Sequence, residues 1–476
     1  MHIHLIGVCG TGMGALAGLL RDAGHDVSGS DRAFYPPMGP ALAAWGVRAL
    51  PGWDAANLDP APDLVVVGNV CRRDNPEAVA AHERGLRCMS FPGTLNELFL
   101  QDRPGYVVAG THGKTTTTAI LAQLLHAGGA DPGFLIGGVP RGFDRAARLG
   151  RAGAPFVIEG DEYDSAYFEK SPKFWQYNPR VVILTSVEHD HVDIYPDLAS
   201  YRAAFEGLIA RIPEDGLLVA YAGDPEVCAL ARQARCPVRF YALANDDCGD
   251  VAPIYSAALA SVEAGAQAFD LFGGGSFLSR VYSPLSGAHN ARNVLAAVIA
   301  AVEGAGLGLG PVLETVPQLA GVKRRQELLG VAGGVYVYED FAHHPTAVRE
   351  TLRGLRSLHP RGKLIAAFEP RSATASRRMH QDEYPAAFMP ADVSLIAPVG
   401  RPEIPAEQRL DVQAIVTELT RQGRVAEATP DTASVAARVA AHAQPGDVVV
   451  LMSNGDFGGV YDEVLVALTP VVPAPG

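Results

Sequence analysis

The sequence predicts an α/β protein of three tandem domains, each built on a largely parallel sheet. Three observations carry that expectation. The chain has 476 residues, enough for about three domains of roughly 100 to 200 residues each. Short apolar runs alternate with helical patterns along its length, the mark of parallel strands covered by helices. Two breaks in that rhythm, QDRPG at 101–105 and GVKRRQE from Gly321, divide it into three series.

The first series runs through IHLIGV, ALAGLLRDAG, DVSGSD, DLVVVGN and EAVAAHERG. The second opens on YVVAG and continues with the strand-to-loop passages FVIEGDE and VVILTSVEHD. Within it FDLFGGGSFLSRVYSPL, from Phe269, departs from the βα rhythm and predicts an antiparallel hairpin, followed by the helical stretch NARNVLAAVIAAVEGAG. The third contains VYVYEDF, KLIAAFEP, DVSLIAPV and DVVVLMSNG. There is no short repeat.

A formal charge of −13 and a pI near 5.5 argue against a protein held by a basic surface on nucleic acid or an anionic membrane. MHIHLIGVCG has no positive lead-in to an apolar segment, and no run reaches the roughly 20 apolar residues that span a bilayer. A soluble, cytoplasmic protein is expected. Cys9, Cys71, Cys88, Cys228, Cys236 and Cys248 lack CxxC spacing, so neither a zinc site nor a disulfide framework is indicated.

In AGTHGKTTTT, Gly110 and Gly113 let backbone amides approach a polyphosphate, Lys114 can bridge its terminal phosphates, and Thr115 offers a hydroxyl to Mg²⁺ at a helix start. The spacing is G-x-x-G-K-T, with Val108 where the usual phosphate loop has its first glycine. At the N-terminus, GVCGTGMG places Gly7, Gly10, Gly12 and Gly14 after a strand, and Asp31 ends the next one. This is similar to a dinucleotide fingerprint but is not G-x-G-x-x-G, so it suits a diphosphate other than NAD, the alternative being a turn without a ligand. Two acidic clusters end central strands. EGDEYD holds Glu159, Asp161, Glu162 and Asp164, while EHDHVD holds Glu188, Asp190, His191 and Asp193. Carboxylates with an imidazole suit Mg²⁺ or Mn²⁺ against phosphate, although singly such residues are ordinary solvated loop charges.

The succession GTHGKTTTT, EGDEYD, EHDHVD, GAHNARN, KRRQE and DFAHHPTA resembles the Mur ligases over essentially the whole chain. These enzymes add amino acids or peptides to UDP-N-acetylmuramate in bacterial cell-wall synthesis. The resemblance implies a Rossmann-like UDP-sugar domain at 1–103, a central P-loop ATPase-like domain at 104–322 and a Rossmann-like peptide domain at 323–476. It also implies ATP and Mg²⁺, and a carboxylate activated as an acyl phosphate before an amine displaces the phosphate.

Carried over by similarity, Lys114 contacts the β- and γ-phosphates, Thr115 binds one metal ion, and Glu159 with His191 holds the metal on the acyl-phosphate side. Gly110, Thr111, His112, Gly113 and Thr116 shape the loop. Asn290 and Asn293 fit adenine, with helix capping as their alternative. Arg325, with Arg324 as its alternate, approaches the γ-phosphate from the seam, and Asp340 meets the ribose. Gly10, Thr11, Gly12, Met13, Asp31 and Asn69 serve the sugar nucleotide. His343 and His344 could face the peptide, with helix capping as their alternative, and Arg371 is the candidate to pair with a peptide carboxylate through two parallel hydrogen bonds.

Within the family, GVCGTGMG, YPPM at 35–38, GNVCRRDNP, PGFLIGGVP, EPRS at 369–372 and MSNGDFGG resemble the branch that attaches the recycled murein tripeptide L-alanyl-γ-D-glutamyl-meso-diaminopimelate. Asp456 stands where that branch often has a small residue. Competing readings are the alanine-adding ligase, separated by assaying free L-alanine, and a folate polyglutamate ligase, against which the N-terminal glycine loop counts. From other classes come an NAD-dependent oxidoreductase, disfavoured by the second phosphate loop, and a non-catalytic nucleotide-binding protein. Retention of Lys114, Thr115, Glu159 and His191 together disfavours the last.

Overall fold

The computed structural model describes residues 1–36, 38–263 and 265–469. Pro37 of YPPM and the last seven residues of the 323–476 segment lie outside these. Three sheets follow one another along the chain, each a layered α/β unit. In the first, β1 (His2–Ile6), β2 (Asp26–Asp31), β3 (Arg48–Pro51), β4 (Leu64–Val67) and β5 (Cys88–Ser90) are ordered β3-β2-β1-β4-β5, and all pair in parallel. The order reverses between β1 and β4, the crevice where an open α/β sheet presents ligands. The glycine loop follows β1 there, and Asn69 follows β4.

The central sheet has ten strands. They are β6 (Gly105–Ala109), β7 (Gly133–Leu135), β8 (Ala147–Arg148), β9 (Phe156–Glu159), β12 (Pro179–Leu184), β13 (Leu217–Tyr221), β14 (Val238–Leu243), β15 (Tyr255–Glu263), β16 (Ala266–Gly273) and β17 (Ser276–Ser283). Their order is β17-β16-β15-β14-β13-β12-β6-β9-β7-β8. A separate antiparallel pair, β10 (Asp164–Ala166) and β11 (Glu169–Pro172), follows β9. The expected hairpin is β16–β17, and β15 extends it as a third antiparallel strand.

β6 lies between β12 and β9, parallel to both. Its five residues, GYVVA, are buried, as a strand covered on both faces requires. The phosphate loop, EHDHVD and EGDEYD therefore leave neighbouring strands at one sheet edge. Helices Lys114–Ala127 and Ala288–Ile299 share a core with Val108, through Leu121, Leu125, Val294 and Leu295.

The third sheet comprises β18 (Glu327–Ala332), β19 (Val335–Asp340), β20 (Leu364–Phe368), β21 (Val393–Ile396), β22 (Val425–Ala428) and β23 (Val448–Met452), ordered β18-β19-β23-β20-β21-β22. Only the edge strand β18 is antiparallel to its neighbour. The carboxyl ends of β19, β23 and β20 are adjacent, so FAHHP, SNGD and EPRS emerge side by side. Among the described residues, no helix is long and apolar enough to cross a membrane.

Candidate active site at a domain seam

Two glycines shape the loop between β6 and helix Lys114–Ala127. Gly110 has φ 128°, and a Cβ there would stand 2.3 Å from Thr185 Oγ1. Gly113 has φ 81°, and its Cβ would meet Asn293 Oδ1 at 2.6 Å. No side chain fits at either position without displacing its neighbours. The helix begins directly after Gly113, so its free amides and positive dipole end border the loop.

Lys114 Nζ donates to the Gly110 carbonyl at 2.7 Å and to both oxygens of Glu162 at 3.1 Å. Glu162 is fully buried. It also pairs with His191 Nε2 at 2.8 Å and accepts from the Tyr201 hydroxyl at 3.1 Å. Burial opposes charge on all three ionisable groups, but their mutual attraction prevails. Glu162 is held below its usual range, and Lys114 and His191 above theirs.

Thr115 Oγ1 donates to Glu159 Oε1 at 3.0 Å and accepts from Arg325 Nη2 at 3.3 Å. The other Glu159 oxygen accepts from the Gly137 amide at 2.9 Å. Burial raises the Glu159 pKa in spite of Lys114 and Arg325, so this carboxylate has more demand for positive charge than the protein supplies. A hydroxyl and such a carboxylate are the hard oxygen donors that suit Mg²⁺, and the residues fit that ion. Among the described residues no hydrogen bond or ion pair joins His191 to Glu159, and the imidazole is engaged by Glu162.

Arg325 enters from the seam and lies over the Phe341 ring, 4.6 Å from its centroid. Its neighbour Arg324 turns away at φ 63° to donate to Glu339 Oε1 at 2.6 Å and to the carbonyls of Ser453 and Gly455. Arg324 is thereby turned away from the phosphate loop. The adjoining loop residues are tied down as well. Thr111 Oγ1 donates to the Glu188 carbonyl and accepts from its amide, both at 2.9 Å, and Thr116 is half-buried on the first helical turn. Neither Asn290 nor Asn293 caps its helix, since Gly287 holds the N-cap position. Asn290 Nδ2 donates to the Ser286 carbonyl at 2.9 Å, and Asn293 Nδ2 to Asn290 Oδ1 at 3.2 Å.

The Mur ligase family catalytic domain matches residues 2–103, the Mur ligase middle domain 108–301 and the Mur ligase glutamate ligase domain 324–455. A UDP-N-acetylmuramate–L-alanyl-γ-D-glutamyl-meso-2,6-diaminoheptandioate ligase of Escherichia coli strain K12 is 37% identical over 467 residues, 98% of each chain. The chain belongs to the Mur ligase family. A crystal structure of a murein peptide ligase from Psychrobacter arcticus is 34% identical, with TM-score 0.71 over 100% of both chains. A UDP-N-acetylmuramate–L-alanine ligase of Kineococcus radiotolerans is 38% identical over 98% of this chain and 95% of its own. Overall identity thus does not divide the two branches, and local residues must.

In this Mur ligase the N-terminal loop carries Gly10 as helix N-cap, exposed Thr11, half-buried Gly12 and buried Met13. Asp31 braces the loop, accepting from the Cys9 amide at 2.8 Å and the Arg32 amide at 2.7 Å. Asn69 opens on a cleft of about 720 Å³ between the first two domains, lined also by Arg72, Arg73, Tyr167 and Lys170.

In the third domain both Asp340 oxygens are committed to backbone amides, of Gln326 and Ala342, each at 2.7 Å. His344 is the N-cap of helix Pro345–Leu358, its Nδ1 accepting from the Thr346 amide at 3.3 Å. His343 lies 4.0 Å from Asp190 of the central domain. Arg371 donates to Asp456 Oδ1 at 2.6 Å and stands 3.7 Å from Glu369. Its side chain fills a slot beside Gly400 and Gly455, where added Cβ atoms would meet it at 3.0 and 2.6 Å.

Two residues at this centre were given no role by the sequence, Glu162 and Glu188. Both stand in acidic clusters that were recognised. The available signal was the cluster, and the fold selects which member turns inward.

Proposed function

We propose that this Mur ligase joins UDP-N-acetylmuramate to L-alanyl-γ-D-glutamyl-meso-diaminopimelate at the expense of ATP. The observation that carries the reading is the meeting of Arg325, from the seam, with Thr115 of the phosphate loop beside Glu159. Phosphoryl transfer needs positioning and charge neutralisation more than a protein nucleophile, and Lys114, Arg325 and the helix start provide them. The lactyl carboxylate of the sugar nucleotide attacks the γ-phosphorus and releases ADP. The peptide α-amine then attacks the acyl carbon, phosphate departs, and an amide remains.

Thr115 and Glu159 would hold Mg²⁺, whose chemistry is to neutralise charge on the transferring phosphoryl group. His191 would join that side by exchanging Glu162 for the ion. Asn290 and Asn293 border the adenine end, with Asp340 beside the ribose. The basic cleft at Asn69 suits the diphosphate of the sugar nucleotide, next to the loop Gly10–Met13. In the third domain Arg371 offers a planar fork to a peptide carboxylate, with His343 and His344 along the same crevice.

The alanine-adding activity is the second reading, favoured by the Kineococcus relative. One experiment tests both. Purified protein with ATP, Mg²⁺ and UDP-N-acetylmuramate is offered L-alanine, the dipeptide, and tripeptides ending in diaminopimelate or lysine, with phosphate release and product mass recorded. Phosphate release and product with the diaminopimelate tripeptide in preference to L-alanine is expected. A preference for L-alanine overturns the tripeptide assignment.

A further inference from the structure

Beside the phosphate loop, three ligand-type side chains converge from two domains. His112 belongs to the loop itself, Glu188 follows β12, and His344 comes from the third domain. One ligand atom from each lies within 4.8 Å of the other two. Glu188 Oε2 stands 3.1 Å from His112 Nε2 and 3.4 Å from His344 Nδ1. At a tetrahedral ion with bonds of about 2.0–2.2 Å, neighbouring ligand atoms are separated by about 3.4 Å. The Glu188–His344 edge already has that length, and the Glu188–His112 edge is slightly shorter. The ligand atoms of the two imidazoles lie within 4.8 Å of each other, and the third edge closes as these nitrogens approach.

His344 is 3% exposed, so the nitrogen it turns toward Glu188, Nδ1, is shielded from water. The remaining contacts at the cluster are weak or replaceable. The Thr346 hydroxyl donates to Glu188 Oε2 at 2.8 Å, and His344 Nδ1 meets the Thr346 amide at 3.3 Å.

We propose that His112, Glu188 and His344 form a metal site separate from the Thr115–Glu159 pocket, which takes a borderline divalent transition ion such as Zn²⁺ and, when filled, ties the third domain to the phosphate loop. Two imidazoles and one carboxylate suit Zn²⁺. Mg²⁺ prefers all-oxygen, octahedral surroundings with retained water, so it does not compete for this set. Binding displaces whatever proton bridges His112 and Glu188. It also restrains the seam, because His344 cannot leave with its domain while it is a ligand.

The test uses the full-length protein in excess Mg²⁺, titrated with Co²⁺ as the spectroscopic stand-in for Zn²⁺. About one equivalent should bind with the visible absorption of a four- or five-coordinate ion. Binding should weaken at least tenfold in His344→Gln and in Glu188→Gln, and persist in Thr115→Ala, which removes a ligand of the other pocket. Hydrogen exchange across 321–327 should slow on adding Zn²⁺ to the wild type but not to His344→Gln. Should that variant fail to fold, by circular dichroism, His112→Gln on the opposite domain replaces it. Absence of a Co²⁺ band in the wild type, equal binding by the histidine variants, or loss of the band in Thr115→Ala overturns the assignment. The ligase assay above is a separate measurement, so either reading can fail alone.

Discussion

Glu162→Gln is the most informative single change at the centre. The carboxylate has no exposure and takes hydrogen bonds from Lys114 at 3.1 Å and Tyr201 at 3.1 Å, and pairs with His191 at 2.8 Å. Glutamine keeps the shape but removes the charge, and its NH₂ must face Lys114, His191 or Tyr201. Hydrogen bonds to charged groups contribute about 1.5–3 kcal/mol each, and a buried ion stripped of its partner costs about 3–5 kcal/mol. Allowing for rearrangement, a loss of about 3 kcal/mol is expected, which lowers the transition of a domain of this size by roughly 6–12 °C. The change also removes the anion that competes with nucleotide phosphates for Lys114, so Mg-ATP should raise the variant's transition by more than the wild type's. Differential scanning calorimetry with and without nucleotide reads both effects. Lys114→Ala and the double variant complete a cycle, in which coupling above about 1 kcal/mol is expected. Additivity within about 0.5 kcal/mol, or equal nucleotide shifts, would refute the view that Glu162 holds Lys114 in reserve.

Lys114→Ala should lower turnover on the order of 10² to 10³-fold, and it should also lose stability, since Glu162 would stay buried without its ammonium. A variant as stable as the wild type would contradict the structural role of the Lys114–Glu162 pair. Arg371→Lys keeps the charge but loses the fork, so steady-state kinetics should show a raised tripeptide KM with the ATP KM within about twofold. Unchanged tripeptide kinetics would remove Arg371 from the peptide site. Glu77, fully buried in the first domain, pairs with His4 Nε2 at 3.1 Å and accepts from Asn57 at 2.6 Å. Burial would raise its pKa, but these bonds and that of Ser30 hold it below the ordinary 4.5. A depressed carboxyl stabilises above its unfolded pKa and ceases to as pH falls through the folded one. The stability gap between wild type and Glu77→Gln, by urea unfolding, should therefore be on the order of 1–3 kcal/mol at neutral pH and shrink below pH 4.5. A gap that grows on acidification contradicts this.

What was legible in the sequence was local. Gly110, Gly113, Lys114 and Thr115 are contiguous, and the strand before them and helix after them mark their context. Glu159 closes a recognisable strand. Beyond β9 the chain leaves the sheet, the alternation of faces ends, and nothing in EGDEYD says that Glu162 rather than Asp161 or Asp164 turns to Lys114. Arg324 and Arg325 are equivalent in sequence. A left-handed backbone at Arg324 sends one guanidinium to β23's end and the other to Thr115. The Arg371–Asp456 pair spans 85 residues and is created by the adjacency of β20 and β23, a strand order that alternating patterns do not specify. The same holds for β15, whose run resembles any other strand until its partner is known.

The seam explains why the chemistry is divided between domains. Thr115 and Glu159 belong to the central domain, but the cation beside them, Arg325, comes from the seam, where Phe341 of the third domain lies against it. Glu188 likewise receives Thr346 from the third domain, and Asp190 receives Thr374. No one domain holds the full set. In the proposed reaction an acyl phosphate is lost if water reaches it before the amine does, and a centre completed by domain apposition would exclude water at that step. Charge reinforces the coupling: burial raises the pKa of Glu159 despite Lys114 and Arg325, so drawing Arg325 away would leave that carboxylate still less compensated. Apposition of the third domain and electrostatic compensation of Glu159 are thus linked through Arg325.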